Sequence, residues 1–177
     1  MKVTFDENTP LEQYIKSVAW MIDKTGNKKL PGRLFTSIEG LLTEQGRAFP
    51  FAPFPAELKH FFGKMGRCYE NATRLALSGM ELIYCEGYAL NQGLPIPLMH
   101  GFCITPEGAV VDPTWKDGTE YFGVAISKTF LFQTMNQREM YGVLDDWENN
   151  YPVLSLEPER WLHPKFTTNR KPVYETT

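Results

Sequence analysis

The sequence predicts one domain built from helices and strands together, and three stretches carry that prediction. Leu11 to Lys24 sets Leu11, Ile15, Val18, Ala19 and Ile22 at helical spacing. Cys68 to Gly79 is a helix-favouring run preceded by the flexible Gly66 and stopped by Gly79. Met99 to Trp115 reads as two short apolar strands joined by Pro106-Glu107-Gly108. With 177 residues the chain can bury one sizeable core and is short for two. We therefore expect a single domain over residues 1–177. Its parts are a helical N-terminal portion (1–65), a central core (66–126), a C-terminal helix with a packing segment (127–166) and a tail that frays (167–177).

Taken in order, the first helix begins at Thr9-Pro10, because proline suits a first turn whose amides have no partners, and Thr25-Gly26-Asn27 ends it. A second helix is expected from Leu34 to Glu44, with Leu34, Ile38, Leu41 and Leu42 on one side. Neither carries a reactive group, and both read as packing elements. Phe49 to Pro55 alternates aromatics with prolines, which excludes a regular helix or a central strand. It is either a loop tucked onto the core or one wall of a groove. Ala56 to Phe62 reads as a short helix closed at Gly63, and His60 within it as a surface or packing residue.

Met80 to Ala89 is the first strand, and Leu90 to Leu98, with its glycine and two prolines, reads as a loop. In the hairpin that follows, Pro106 suits the first corner of a type I turn and Gly108 the left-handed residue after it, a three-residue loop. That loop pairs Thr105 with Ala109 and hence Phe102 with Asp112. His100 and Asp112 then become diagonal neighbours on one face, about 7–8 Å apart at the backbone and within side-chain reach. A two-residue loop would put them on opposite faces. Tyr121 to Ile126 is a further strand, and Ser127 caps a helix expected to run to Met140. Leu154, Leu156, Trp161 and Leu162 are expected to pack back on the domain.

Composition narrows the function. Hydrophobic residues make up 42% and charged residues 22%, the balance of a soluble globular domain. The net charge is −3 and no basic block exists, so the footprint of a nucleic-acid binder is missing. No apolar run reaches the roughly 18 residues of a membrane span, and no apolar signal core follows Met1. The three cysteines, Cys68, Cys85 and Cys103, are odd in number and sit in apolar or strand-like surroundings, which fits free thiols in a reducing cytoplasm. No cofactor is implied. A zinc site from these cysteines and His100 is disfavoured, because no Cys-x-x-Cys pair exists and strand alternation separates His100 from Cys103.

The chemistry-bearing residues fall in the order cysteine, histidine, aspartate, separated by 32 and 12 residues. Cys68 sits at the first turn of its helix, where unpaired amides and the helix dipole stabilise a thiolate and can donate to a developing oxyanion. The alternative for Cys68 is a structural thiol. Read as a catalytic set, Cys68 attacks an acyl carbon, His100 takes and returns the proton, and Asp112 orients the ring and supports its charged form. Tyr69, beside the nucleophile, lines a cleft or packs in the core. Trp115 covers the His100–Asp112 pair or serves as a core tryptophan. Cys103, facing away from His100, and Cys85, in mid-strand, should be buried and inert.

Gly66-Arg67-Cys68-Tyr69-Glu70-Asn71-Ala72, Glu86-Gly87-Tyr88-Ala89, His100 and Val111-Asp112-Pro113-Thr114-Trp115 together resemble the core of the transglutaminase-like branch of papain-like cysteine enzymes. The resemblance covers Gly66 to Ile126, about a third of the chain. It implies an α+β fold with the nucleophile helix packed on an antiparallel sheet. It also implies acyl transfer through a thioester, with Cys68 as nucleophile, His100 as base and Asp112 as orienting carboxylate. Family members often carry Ala-Trp after the histidine, and here Gly101-Phe102 stand instead. The glutamine that papain-like peptidases place shortly before the nucleophile is absent from Phe61 to Arg67, leaving the amide of Cys68 as the one oxyanion donor the sequence offers.

Two functions follow as expectations. The first is a cysteine-dependent hydrolase or deamidase of an amide or isopeptide bond in a peptide or protein, with Tyr69, Phe102 and Trp115 contacting substrate. The alternative is a non-catalytic module that keeps the fold and binds a peptide or protein. The sequence leaves the oligomeric state open.

Overall fold

In the computed structural model, which describes residues 9–25, 29–138 and 140–167, the chain is a mixed α+β domain around one five-stranded antiparallel sheet. Helices Pro10–Lys24 (α1) and Ile38–Gln45 (α2) come first, followed by the short strand Arg47–Phe49 (β1). A 3-10 turn, Ala56–Phe61, precedes helix Cys68–Ala76 (α3). Strands Ile83–Asn91 (β2), Leu94–Ile104 (β3), Val110–Val111 (β4) and Gly118–Ala125 (β5) lead to helix Lys128–Gln137 (α4). The strand order is β1-β5-β2-β3-β4.

Local chemistry explains where these elements start. Pro10 opens α1, and the Thr9 side chain accepts from the amide of Glu12. Gly26 and Asn27, expected to close that helix, lie outside the described residues; Thr25 is its C-cap. Helix α2 begins later than its apolar spacing suggests. The amides of Leu34 and Phe35 both reach the carbonyl of Leu154, so Ser37 becomes the cap, accepting from Gly40. Ser127 caps α4, which ends at Gln137 rather than Met140.

Two sequence expectations need correcting in the sheet. Residues 90–98 are not a loop: β2 runs to Asn91, turns through Gln92 and Gly93, and returns as β3 from Leu94. Pro95 and Pro97 fit there because β4 covers β3 only at Cys103 and Ile104. Over Leu94–Phe102, β3 has no strand on its other side among the described residues. Phe49, expected to open the loop or groove wall of residues 49–55, instead closes β1 against β5 and is buried. The 105–109 turn forms as its residues dictate. Thr105 donates to the carbonyl of Ala109 at 2.8 Å, Gly108 has φ +96, and Cys103 and Ile104 face Val111 and Val110.

The sheet separates two apolar clusters. One face packs residues such as Tyr84, Cys103, Val111 and Val124 against the helices, with Trp161 and Leu162 returning from the C-terminal segment. The opposite face gathers Phe49, Phe102, Trp115, Tyr121 and Phe166. Alternation along β3 assigns Gly101 and Cys103 to the helix side, and His100 and Phe102 to the aromatic side.

Candidate functional site

Helix α3 meets the sheet at β3, and a missing side chain sets how closely. A Cβ on Gly101 would come within 2.8 Å of the Tyr69 ring and 3.0 Å of the Tyr69 Cα. Glycine at 101 therefore lets the first turn of α3, which begins with Cys68, lie directly against the strand that carries His100. The preceding chain is tied in by Asn71. Its Nδ2 donates to the Lys64 carbonyl at 2.9 Å and to Thr114 Oγ1 at 3.0 Å, and the amide of Gly63 donates to the Pro113 carbonyl at 2.8 Å. The segment before the cysteine and the segment after the aspartate are thus laced together.

His100 is 1% exposed. Its Nε2 lies 2.8 Å from Asp112 Oδ2, and with an ionised carboxylate opposite, Nε2 carries the hydrogen. Cys68 also acts on this ring, raising its pKa, and with Nε2 turned to Asp112 the nitrogen left free is Nδ1. Trp115 stacks over the imidazole with ring centroids 3.9 Å apart and planes inclined by 21°. Burial disfavours the charged ring, but hydrogen bonds to Asp112 and Cys68, and their charges, outweigh it and push His100 up to about 9.

Asp112 is held by donors on both oxygens. The amides of Thr114 and Trp115 donate to Oδ1 at 2.8 and 3.1 Å. His100 and the Tyr121 hydroxyl, the latter at 2.7 Å, share Oδ2. Four donors surround the carboxylate, so its buried charge is matched by aligned hydrogen bonds.

Cys68 is half-buried, whereas Cys85 and Cys103 are buried. Burial pushes both of those thiols well above the ordinary range, and Cys103 Sγ donates to the Ala72 carbonyl at 3.2 Å. The first backbone bond of α3 runs from the Asn71 amide to the Arg67 carbonyl at 2.9 Å, so the amides of Cys68, Tyr69 and Glu70 precede the helical ladder.

The residues expected to contact substrate divide. Tyr69 is half-buried beside Cys68, and its hydroxyl donates to Asp145 Oδ2 at 3.4 Å. Phe102 is fully buried, with its ring centroid 5.0 Å from Tyr121 and 5.8 Å from Phe49. The expectation that it lines a substrate groove is therefore corrected; it is a core ring beneath the site. Trp115 is 7% exposed and spends its face on His100, so it is a cover rather than a groove wall.

Two polar groups around the site escaped the sequence reading. In the sequence Tyr121 reads only as a strand residue. Glu86, fully buried in β2, accepts from the Tyr84 hydroxyl at 2.6 Å, from the Leu144 amide at 2.7 Å and from the Val143 amide. It fastens residues 143–144 behind Tyr69, whose ring lies 3.6 Å from where a Cβ of Gly142 would stand. A lone carboxylate in the apolar run Ile83-Tyr84-Cys85 was the signal for it. No group of three or more histidine, cysteine or acidic side chains suited to a metal ion occurs among the described residues, and no helix there is long and apolar enough to cross a membrane. No family model, no curated protein and no solved structure matches the chain.

Proposed function

We propose that this protein is a cysteine-nucleophile acyl-transfer enzyme, with a fold of the papain and transglutaminase type, that hydrolyses or deamidates an amide or isopeptide bond in a peptide or protein. The observation that carries this reading is the placement of His100: buried under Trp115, fixed by Asp112 through one nitrogen, on the strand against which the helix that opens with Cys68 packs. An imidazole raised to about 9 holds a proton at neutral pH, ready to be passed to a leaving group.

The Cys68 thiolate adds to the amide carbonyl carbon, and the carbonyl π electrons move to oxygen, where the amides at the start of α3 supply donors. His100 passes its Nδ1 proton to the leaving nitrogen, the C–N bond breaks and a thioester remains. Water then attacks with His100 as base, releasing the carboxylic acid and restoring the thiolate. Asp112 keeps the ring in orientation throughout and supports its charged form. Tyr69, half-buried next to the nucleophile, borders the incoming acyl group in this reading. Three free thiols fit a reducing compartment, and we assign the protein to the cytoplasm on that basis.

Iodoacetamide labelling followed by mass spectrometry tests the reading. Cys68 labels first at neutral pH, and His100→Ala slows that labelling. First labelling at Cys85 or Cys103 removes the nucleophile from the proposal, leaving the fold as a binding scaffold.

A further inference from the structure

Tyr121 stands on β5, two strands away from β3, opposite the small Ala89 of β2. From there its hydroxyl crosses to Asp112 Oδ2 at 2.7 Å, the same oxygen that receives His100 at 2.8 Å. The chain leaves room for this. A Cβ on Gly118 would come within 1.8 Å of the Tyr121 hydroxyl oxygen and 2.6 Å of the ring carbon bearing it. Gly118 is not among the glycines with positive φ, so the backbone there does not itself require glycine. The missing side chain serves the space that the hydroxyl occupies. Burial, with the carboxylates of Asp112 and Asp117, holds the phenol above its usual range, so it remains a neutral donor.

A donor on a carboxylate oxygen stabilises its charge and lowers its pull on any other proton. Oδ1 is already fixed by two amides, so the contest between Tyr121 and His100 is confined to Oδ2. Building on the reading of Cys68, His100 and Asp112 as a catalytic set, we propose that Tyr121 is a positioning residue. Its hydroxyl, seated in the space Gly118 leaves, shares Asp112 Oδ2 with His100 and so sets how tightly the ring keeps its proton. The groups facing the ring are Asp112 after β4, Cys68 of α3 and Tyr121 of β5, with Trp115 stacked on it and Asp117 acting on Tyr121. With the hydroxyl present, His100 releases its proton to a leaving group more readily than Asp112 alone would allow.

The test titrates the His100 imidazole by NMR in the full chain. Tyr121→Phe removes the donor, and Gly118→Ala displaces it while keeping the phenol; each raises the His100 midpoint, by about one unit for loss of a charge-assisted hydrogen bond. A fluorotyrosine installed at 121, a stronger donor of nearly the same shape, lowers the midpoint, and this sign reversal is something a merely structural role does not produce. Unchanged midpoints in the variants that remain folded, or a shift of the opposite sign, overturn the proposal. The reading beneath it is judged separately by iodoacetamide labelling of the unaltered chain. Labelling at Cys68 with an immobile midpoint defeats the role of Tyr121 alone, and slow labelling at Cys68 defeats the nucleophile.

Discussion

Replacing Asp112 with asparagine removes one charge from the buried pair and keeps its shape. The two amides on Oδ1 still find a carbonyl oxygen, and the new amide group faces Tyr121 and His100, both of which must turn acceptor. His100 then loses its charged partner while burial, which lowers its pKa, remains. In the unaltered protein the ring is raised from 6.5 to about 9. At 1.36 kcal/mol per unit that is about 3 kcal/mol of stability. The folded-state pKa lies above the unfolded one, so this contribution is complete below pH 6.5 and is lost as pH rises through 9. Urea unfolding from pH 6 to 9.5 reads it directly. Because Cys68 also raises the ring and stays in place, the difference in unfolding free energy between the unaltered chain and Asp112→Asn shrinks by about 1–3 kcal/mol across that range. Iodoacetamide labelling of Cys68 at pH 7 slows in parallel. A difference that stays flat with pH would show that Asp112 does not hold a charged imidazole, and the ion-pair reasoning would fail with it.

Two further substitutions probe how the site is built. Gly101→Ala drives a methyl into Tyr69 and pushes the start of α3 off β3. We expect a loss of about 1–3 kcal/mol in denaturant unfolding, as for overpacked cores, together with slower Cys68 alkylation; unchanged stability would mean that α3 shifts freely. Glu86→Gln sets a donor among three donors, the Tyr84 hydroxyl and the amides of Val143 and Leu144. It should cost about 2 kcal/mol in the same assay and raise hydrogen exchange at residues 143–144, and equal exchange in the two proteins would refute the clamp.

Local chemistry wrote the legible parts of this fold. Thr9-Pro10 and Ser127 announce their helices, and Pro106 with Gly108 sets a register that brings His100 to Asp112, whereas α3 closes at Ala76 with Leu77 as its cap, before the expected Gly79. What could not be read depends on partners far along the chain. The carbonyl of Leu154 takes the amides that would have begun α2 at Leu34. Prolines 95 and 97 suggest a loop until one knows that β4 is two residues long and leaves that stretch of β3 uncovered. The hydroxyl on Asp112 comes from Tyr121, across an intervening strand whose position no spacing rule supplies. Phe102 shares a strand face with His100, and the alternation that suggested a groove could not say that Phe49 and Tyr121 would close over it.

The short β4 has a second consequence. An uncovered strand flank is a template on which another chain can dock edge to edge and begin to aggregate. Pro95 and Pro97 withhold two amide hydrogens along that flank, so an invading strand meets gaps where its carbonyls would need donors. The residues that make the β2–β3 ribbon hard to recognise also protect it from self-association, and replacing both with β-branched residues would trade that protection for a continuous, adhesive rim.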